Sequence, residues 1–329
     1  MREPSGFGDA TLRFATPLVF VLIVGVFAAL SPQFLSTENL ANVIKQASFV
    51  GIAAVGITFV LLTRGIDLSV GSVMYLAPLL AGFAMRDLGV GVVGGLLTAI
   101  LAGLAMGAIN ALFVVRFNIA PFIVTLSTLF FFRGLGTVLT QSRQFDFDRS
   151  LLDFGLADLF GVPVPVLFLV VIALGAHIVL SRTAFGRQIY AVGADPDAAR
   201  KAGIRNGWVI ARVYLISSVC AGLAGFILIA QIGRLDVAFG EGREFDIIAA
   251  AVLGGASLFG GVGTALGAVV GAVLIQLVKT GLVFAAVNLY LQPIVLGLVI
   301  FLAVLVDSFR VVRMRRSRRR TIRPLKPGG

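Results

Sequence analysis

Nucleophilic or metal-assisted chemistry needs a nucleophile beside a base, or several ligands together. This chain of 329 residues offers one histidine, His177, and one cysteine, Cys220, each alone in an apolar segment. Neither a catalytic dyad, a zinc site nor a disulfide framework follows from them. Phosphate chemistry is absent as well: there is no Gly-x-x-x-x-Gly-Lys-Ser/Thr run, and the dense cluster Gly260–Gly267 lacks the lysine that would face phosphate charge. What remains is hydrogen-bonding chemistry inside apolar stretches. Asn42, Gln46, Asn110, Gln276 and Asn288 supply amides, Arg133 a guanidinium, and Phe49, Phe59, Phe130 and Phe131 ring faces. Such a set can line a path for a neutral polar solute, and each member can equally hold one helix to another. No cofactor is expected.

The elements that must position these side chains are helices in lipid. Charged residues are 13% of the chain, about half the usual globular share, while 58% is hydrophobic and 39 residues are glycine. Mean hydropathy is +1.02. A soluble enzyme is excluded. Stretches without Lys, Arg, Asp or Glu run 14–37, 46–63, 68–85, 88–115, 117–132, 159–181, 213–233, 247–278 and 280–306. A span needs about 20 apolar residues, so 247–278 is too long for one. Gly260-Gly261-Val262-Gly263 breaks it. The first piece, Phe245 to Phe259, reaches only about 22 Å and cannot cross unaided. The fold class predicted is therefore all-α, a polytopic integral membrane protein of about ten transmembrane helices, the eighth short.

Drawing the ten segments alternately through the bilayer places 19 of the 27 Lys and Arg on one side, which makes both termini cytoplasmic. The organisation predicted is a cytoplasmic N-terminus at 1–13, a transmembrane domain at 14–308 and a basic cytoplasmic tail at 309–329. Residues 14–30 read as a retained span, because Phe27 spoils the small-residue cleavage pattern of a signal peptide. The tail from Arg313 to Lys326 directly follows a span and lacks interleaved aromatics. It reads as an anchor on anionic membrane lipid, with no nucleic acid partner.

Three loops are long. Those at 141–163 and 232–244 fall outside, are acidic or mixed in charge, and could form a landing surface for an external partner. The third, 182–207, is cytoplasmic and encodes a short capped helix. Asp195 suits the N-cap, Pro196 the first helical position, Asp197 the positive end of the dipole and Gly203 a left-handed stop. A helix of about seven residues is unstable alone, so its capping suggests docking against a span or another protein.

Two further segments carry turn chemistry. In Gly65-Ile-Asp67-Leu-Ser69-Val-Gly71, glycine permits a sharp turn and Asp67 can cap a helix beginning near Ser69. Roles in the turn and in translocation both stand, since a segment unwound at membrane depth is tolerated where it is buried or lines a cavity. The short eighth segment, with Gly254-Gly255 and Gly260-Gly261, fits the broken helices found at transporter midplanes.

Together these segments resemble permease subunits of bacterial ABC importers for sugars, the branch that includes ribose, xylose, arabinose and galactose permeases. Gly65–Gly71 looks like that family's Gly-Ile-Asp-Leu-Ser-Val-Gly signature. Glu244-Phe-Asp246-Ile-Ile-Ala-Ala-Ala-Val-Leu-Gly254-Gly255-Ala-Ser257-Leu-Phe-Gly260-Gly261 is similar to its Glu-x-Asp-x-Ile-Ala-Ala-x-Val-x-Gly-Gly-x-Ser-x-x-Gly-Gly pattern. The capped loop is similar to the one that inserts into the family's ATPase, which assigns coupling to Gly186, Arg187, Tyr190, Gly193, Asp195, Pro196, Ala198, Ala199 and Gly203. The resemblance covers roughly 38–308.

It implies a dimerising permease in the bacterial cytoplasmic (inner) membrane. The partners implied are a cytoplasmic ABC ATPase, a periplasmic sugar-binding protein and a second permease subunit. Catalysis would reside in the ATPase, and a monosaccharide or related polyol would move inward by alternating access. The motif residues Gly65, Asp67, Ser69, Gly71, Glu244, Asp246, Gly254, Gly255, Ser257, Gly260 and Gly261 are then placed along the translocation machinery. Asn42, Gln46, Phe49, Asn110, Phe130 and Gln276 are candidates for the substrate path. The rival is an ion-coupled secondary transporter. It calls for carboxylates within the membrane, whereas Asp67, Asp87, Glu244, Asp246 and Asp307 fall at or near span ends. A membrane-embedded enzyme lacks its nucleophile and base.

Overall fold

The computed structural model describes residues 24–298, with 301 and 305. The segment 1–13, most of the first predicted span, Asp307 and the tail at 309–329 lie outside the described residues. The chain forms two compact units, one of residues 35–277 and one of residues 1–34 with 278–329. In the second, residues 24–30 are helical. Phe27 and Phe34 lie 5.6 Å apart, and Phe34 meets Phe284 edge-on at 6.1 Å.

The larger unit is built from α1 (Thr37–Leu62), α2 (Val70–Leu88), α3 (Gly91–Ala111, continued by a π-turn over Leu112–Arg116), α4 (Pro121–Thr140) and α5 (Arg149–Leu156). It continues with α6 (Val164–Arg182), α7 (Ala184–Ala194), α8 (Pro196–Lys201), α9 (Asn206–Ile232), α10 (Arg243–Leu253) and the part of α11 (Ala265–Phe284) up to residue 277. Six described helices, α1, α3 with its π-turn, α4, α6, α9 and α11, are long and apolar enough to cross a membrane.

Two of these form the core. The apolar windows of α1 and α9 are 83% and 72% buried, against 22–28% for α3, α4 and α6. A helix apolar on every side is buried at the centre of a protein or faces lipid, and this unit contains both kinds. α2 packs against α3, α4 and α9, buried from Val70 to Gly82 with Tyr75 wholly enclosed, and keeps its charged end, Arg86-Asp87, exposed. α3 approaches α9 closely through Gly103 and Gly107, each facing α9 backbone atoms near Ser218 and Tyr214. Without a hydrophobic drive between helices in lipid, such small-residue seams let dispersion forces hold the pair.

The eighth predicted segment is shorter than expected. α10 has eleven residues, about 16 Å, and stops at Leu253 rather than Phe259. Gly254 caps it and Gly255, at φ 90°, turns the chain out of helical geometry. The loops at 141–163 and 232–244 are joined: β1 (Phe145–Asp146) pairs antiparallel with β4 (Arg234–Leu235), with Phe145 opposite Leu235. After β1 the chain forms α5, capped by Asp148, and a small hairpin of β2 (Asp158–Leu159) and β3 (Val162–Pro163). These two-residue strands leave the architecture all-α.

Candidate functional site

The Gly65–Gly71 segment is a buried junction, not a surface turn. Asp67 and Ser69 have no solvent exposure. One carboxylate oxygen of Asp67 accepts from the Ser69 amide at 3.0 Å and the Ser69 hydroxyl at 2.6 Å, and the other accepts from Ser217 Oγ of α9 at 3.0 Å. Asn110 Nδ2 of α3 donates to Ser69 Oγ at 2.8 Å, and Thr128 Oγ1 of α4 donates to Asn110 Oδ1 at 2.7 Å. Thr125 and Tyr214 hydroxyls reach the Ile66 carbonyl at 3.1 and 3.5 Å. One chain of hydrogen bonds thus joins α4, α3, the α1–α2 connection and α9. Asp67 does not cap α2 directly: Ser69 occupies the N-cap, and the carboxylate closes a turn onto its amide two residues on.

A second cluster sits where α2 begins and α10 starts. Gly71 lies against the Glu244 carboxylate and the Gly240 carbonyl. Arg133 lies over the Tyr75 ring, 4.8 Å from its centroid. Its guanidinium donates to the carbonyls of Val237, at 3.1 Å, and of Phe239. The reason is geometric, because the 236–242 segment folds back and offers carbonyls that a planar fork can engage together. Glu244 Oε2 and the Tyr75 hydroxyl are buried with no hydrogen-bond partner among the described residues. Asp246 sits in the same first turn of α10, half-buried.

The third cluster joins the predicted coupling loop to the rest. Arg64 Nε and Nη2 donate to the carbonyls of Gly193 and Ala194 at 2.7 and 2.6 Å. The Gly261 amide donates to the Leu62 carbonyl at 2.9 Å, and Tyr190 Oη to the Gly263 carbonyl at 2.7 Å. Gly193 is pressed between Leu62 and Gly261, and Gly260 lies against Arg64. The end of α1, the end of α7 and the glycine-rich stretch after α10 therefore meet at one place.

The loop itself holds two helices where the sequence predicted one. Thr183 caps α7 by accepting from the Gly186 amide, and Asp195 caps α8 by accepting from the Asp197 and Ala198 amides, each at 3.0 Å. Pro196 is the first residue of α8 and Ala199 its buried contact; Arg187 and Ala198 face outward. Gly203, at φ 82°, ends it: Gly203 N–H bonds to Arg200 O and Ile204 N–H to Ala199 O, the two bonds of a Schellman stop. α8 has six residues, one fewer than expected, and α7 is a helix that the sequence reading left within the loop, although Thr183 is a residue type suited to cap it.

The Asp195 carboxyl is held below the usual aspartate range chiefly by the Ala198 amide, with the Asp197 amide and the charges of Arg64 and Lys201 adding to it. A lowered carboxylate contributes its cap above the ordinary value of about 3.9 and loses it as pH falls through the lower folded value. Hydrogen exchange at the Asp197 and Ala198 amides should therefore show no loss of the cap's protection between about pH 6 and 8. Asp195→Ala should accelerate exchange at both amides throughout that range; unchanged protection in the variant would show that the cap does not hold α8.

The substrate-path candidates are not gathered at one spot. Gln276 Nε2 donates to Gln46 Oε1 at 2.7 Å, and Phe49 lies under Arg243, 5.2 Å from its guanidinium. Asn110 has both ends of its amide engaged in the Asp67 chain. Asn42 and Phe130 are exposed, Phe130 at 67%. Ser257 is buried and its hydroxyl accepts from the Phe259 amide at 3.2 Å. Sequence reasoning missed Ser217, Thr128, Thr125 and Arg64. The spacing of Thr125 and Thr128, three apart on one helix face, was the signal that could have found two of them.

Residues 39–304 match the family described as the permease component of branched-chain amino acid transport systems. The chain belongs to this permease family. The D-allose transport system permease protein AlsC of Escherichia coli (strain K12) is 34% identical over 308 residues, covering 93% of this chain and 94% of the relative. The ribose import permease protein RbsC of Bacillus subtilis (strain 168) is 36% identical over 293 residues, covering 88% and 90%. The autoinducer 2 import system permease protein LsrC of Yersinia enterocolitica is 32% identical over 332 residues, covering 96% and 89%. No solved structure matches the chain. The permease is an integral membrane transport subunit of the ABC importer class, not an enzyme, and membership implies an ATPase partner and a solute-binding partner. The family description and the relatives name different solutes, so membership fixes the role and not the cargo.

Proposed function

We propose that this permease carries a monosaccharide or related polyol inward by alternating access, as half of a permease dimer in the bacterial inner membrane. The relatives' named cargoes, allose, ribose and autoinducer 2, support this class of solute. Ten spans, cytoplasmic termini, the domain limits at 13 and 308, and a basic tail resting on anionic lipid complete the reading. The observation that carries the mechanism is the junction of Arg64, Gly193 and Gly261. α7 and α8 form the coupling element, and a push from the ATPase on this pair passes through Arg64 to the α1–α2 segment and through Tyr190 to the stretch after α10. α10, too short to span, separates that stretch from Glu244 at its other end, where Glu244 and Gly240 lie against Gly71 at the start of α2. Both states must differ in how they hold α7 and α8 for ATP to bias the cycle.

The test is purification from native membranes in mild detergent, reconstitution with the co-purifying partners and a screen of labelled sugars. ATP-dependent uptake that requires an external binding protein is expected, and that protein's ligand identifies the cargo. Uptake without ATP by the permease alone would overturn the reading. Deleting residues 194–203 should abolish ATPase association while leaving membrane insertion intact.

A further inference from the structure

The last turns of α3 and the first turns of α9 run antiparallel and line an open groove of about 570 Å³. Small side chains carve it: Ala108 and Ala111 on α3, Gly207 and Ala211 on α9, with Leu112 and Leu215 completing an apolar lining. Because the helices are antiparallel, Arg116 at the end of α3 and Arg205 at the N-cap of α9 stand at the same mouth. Both are exposed, and no carboxylate lies within ion-pair distance of either among the described residues. From that mouth to Leu215 the groove runs about 15 Å, the depth of one leaflet of a ~30 Å hydrocarbon core. Trp208 stands beside the mouth, 61% exposed, with Arg212 5.9 Å from its ring. An indole in this position marks the membrane interface.

We infer that this groove binds an anionic phospholipid of the inner leaflet, with an acyl chain between α3 and α9 and the phosphate between Arg116 and Arg205. Charge decides against a zwitterionic lipid: two unpaired guanidiniums at one mouth favour a headgroup of net negative charge, and a guanidinium fork fits phosphate oxygens. An apolar lining of leaflet length decides against a free phosphate ion.

Trp208 is the chain's one tryptophan and therefore a built-in reporter. The full chain is placed in nanodiscs containing brominated phosphatidylglycerol or brominated phosphatidylcholine at equal mole fraction, and tryptophan quenching is read. At low mole fraction, phosphatidylglycerol should quench at least three-fold more effectively. The pair Arg116→Gln with Arg205→Gln should equalise the two lipids while leaving the basic tail in place, and Arg116→Lys with Arg205→Lys should retain the preference. Equal quenching in the parent chain overturns the proposal, and so does a preference that survives the glutamine pair. Quenching that disappears when the ATPase binds would show that a protein surface, not lipid, fills the groove. Should the glutamine pair fail to fold, the parent comparison still decides.

Discussion

Asp67→Ala is expected to abolish uptake and to cost about 3 kcal/mol of stability, the scale of removing a hydrogen-bond acceptor and leaving its donors buried and unpaired. Three donors lose their acceptor at once: the Ser69 amide, the Ser69 hydroxyl and the Ser217 hydroxyl. The loss spreads, because Ser69 also receives the Asn110 amide, which in turn receives Thr128. Networks of this kind fail together rather than bond by bond. Asp67→Asn separates charge from geometry. Its amide oxygen can keep both Ser69 bonds, and its NH2 can donate to a Ser217 hydroxyl that rotates to accept. That variant should fold and keep measurable uptake, while Asp67→Ala should lose its monodisperse peak on size exclusion after mild heating. An Asp67→Ala permease with parental stability and uptake would show that the buried carboxylate is no structural junction.

Gly193→Ala carries the second large effect. A Cβ at this position would meet the Leu62 carbonyl well inside contact distance and stand 2.6 Å from the Gly261 amide. Both obstacles are backbone, so no rotamer change relieves them, and overpacking of this sort costs on the order of 3 kcal/mol. Relief requires α7 to withdraw from α1, which breaks the Arg64 bonds to Gly193 and Ala194. Insertion into the membrane should survive, since the spans are untouched. Uptake coupled to ATP hydrolysis should fall at least ten-fold, with ATPase activity no longer stimulated by the solute-binding partner. Gly134→Ala is the control, because a Cβ there meets nothing within 4 Å. Parental coupled uptake in Gly193→Ala would remove the junction from the coupling route.

What the residues determined alone is what physical chemistry writes locally. Scarcity of charge placed the chain in a membrane, and the family motifs placed it among importer permeases, as its matches to known permeases bear out. Cap chemistry was also local: Asp195, Pro196 and Gly203 specify α8 within nine residues. The meeting of segments was not legible. Arg64 finds Gly193 across 129 positions and Asp67 finds Ser217 across 150. Nothing in hydropathy encodes such pairings, because lipid solvates every apolar face equally and gives no direction to helix association. The choice of neighbours rests on where glycine seams allow backbones to approach and on which buried polar groups can satisfy one another. Those conditions exist only once the helices are packed, and so tertiary structure alone decided that Arg133 engages the Val237 and Phe239 carbonyls, that Asn110 is spent on a hydrogen-bond chain, and that α7 touches the glycine-rich stretch after α10.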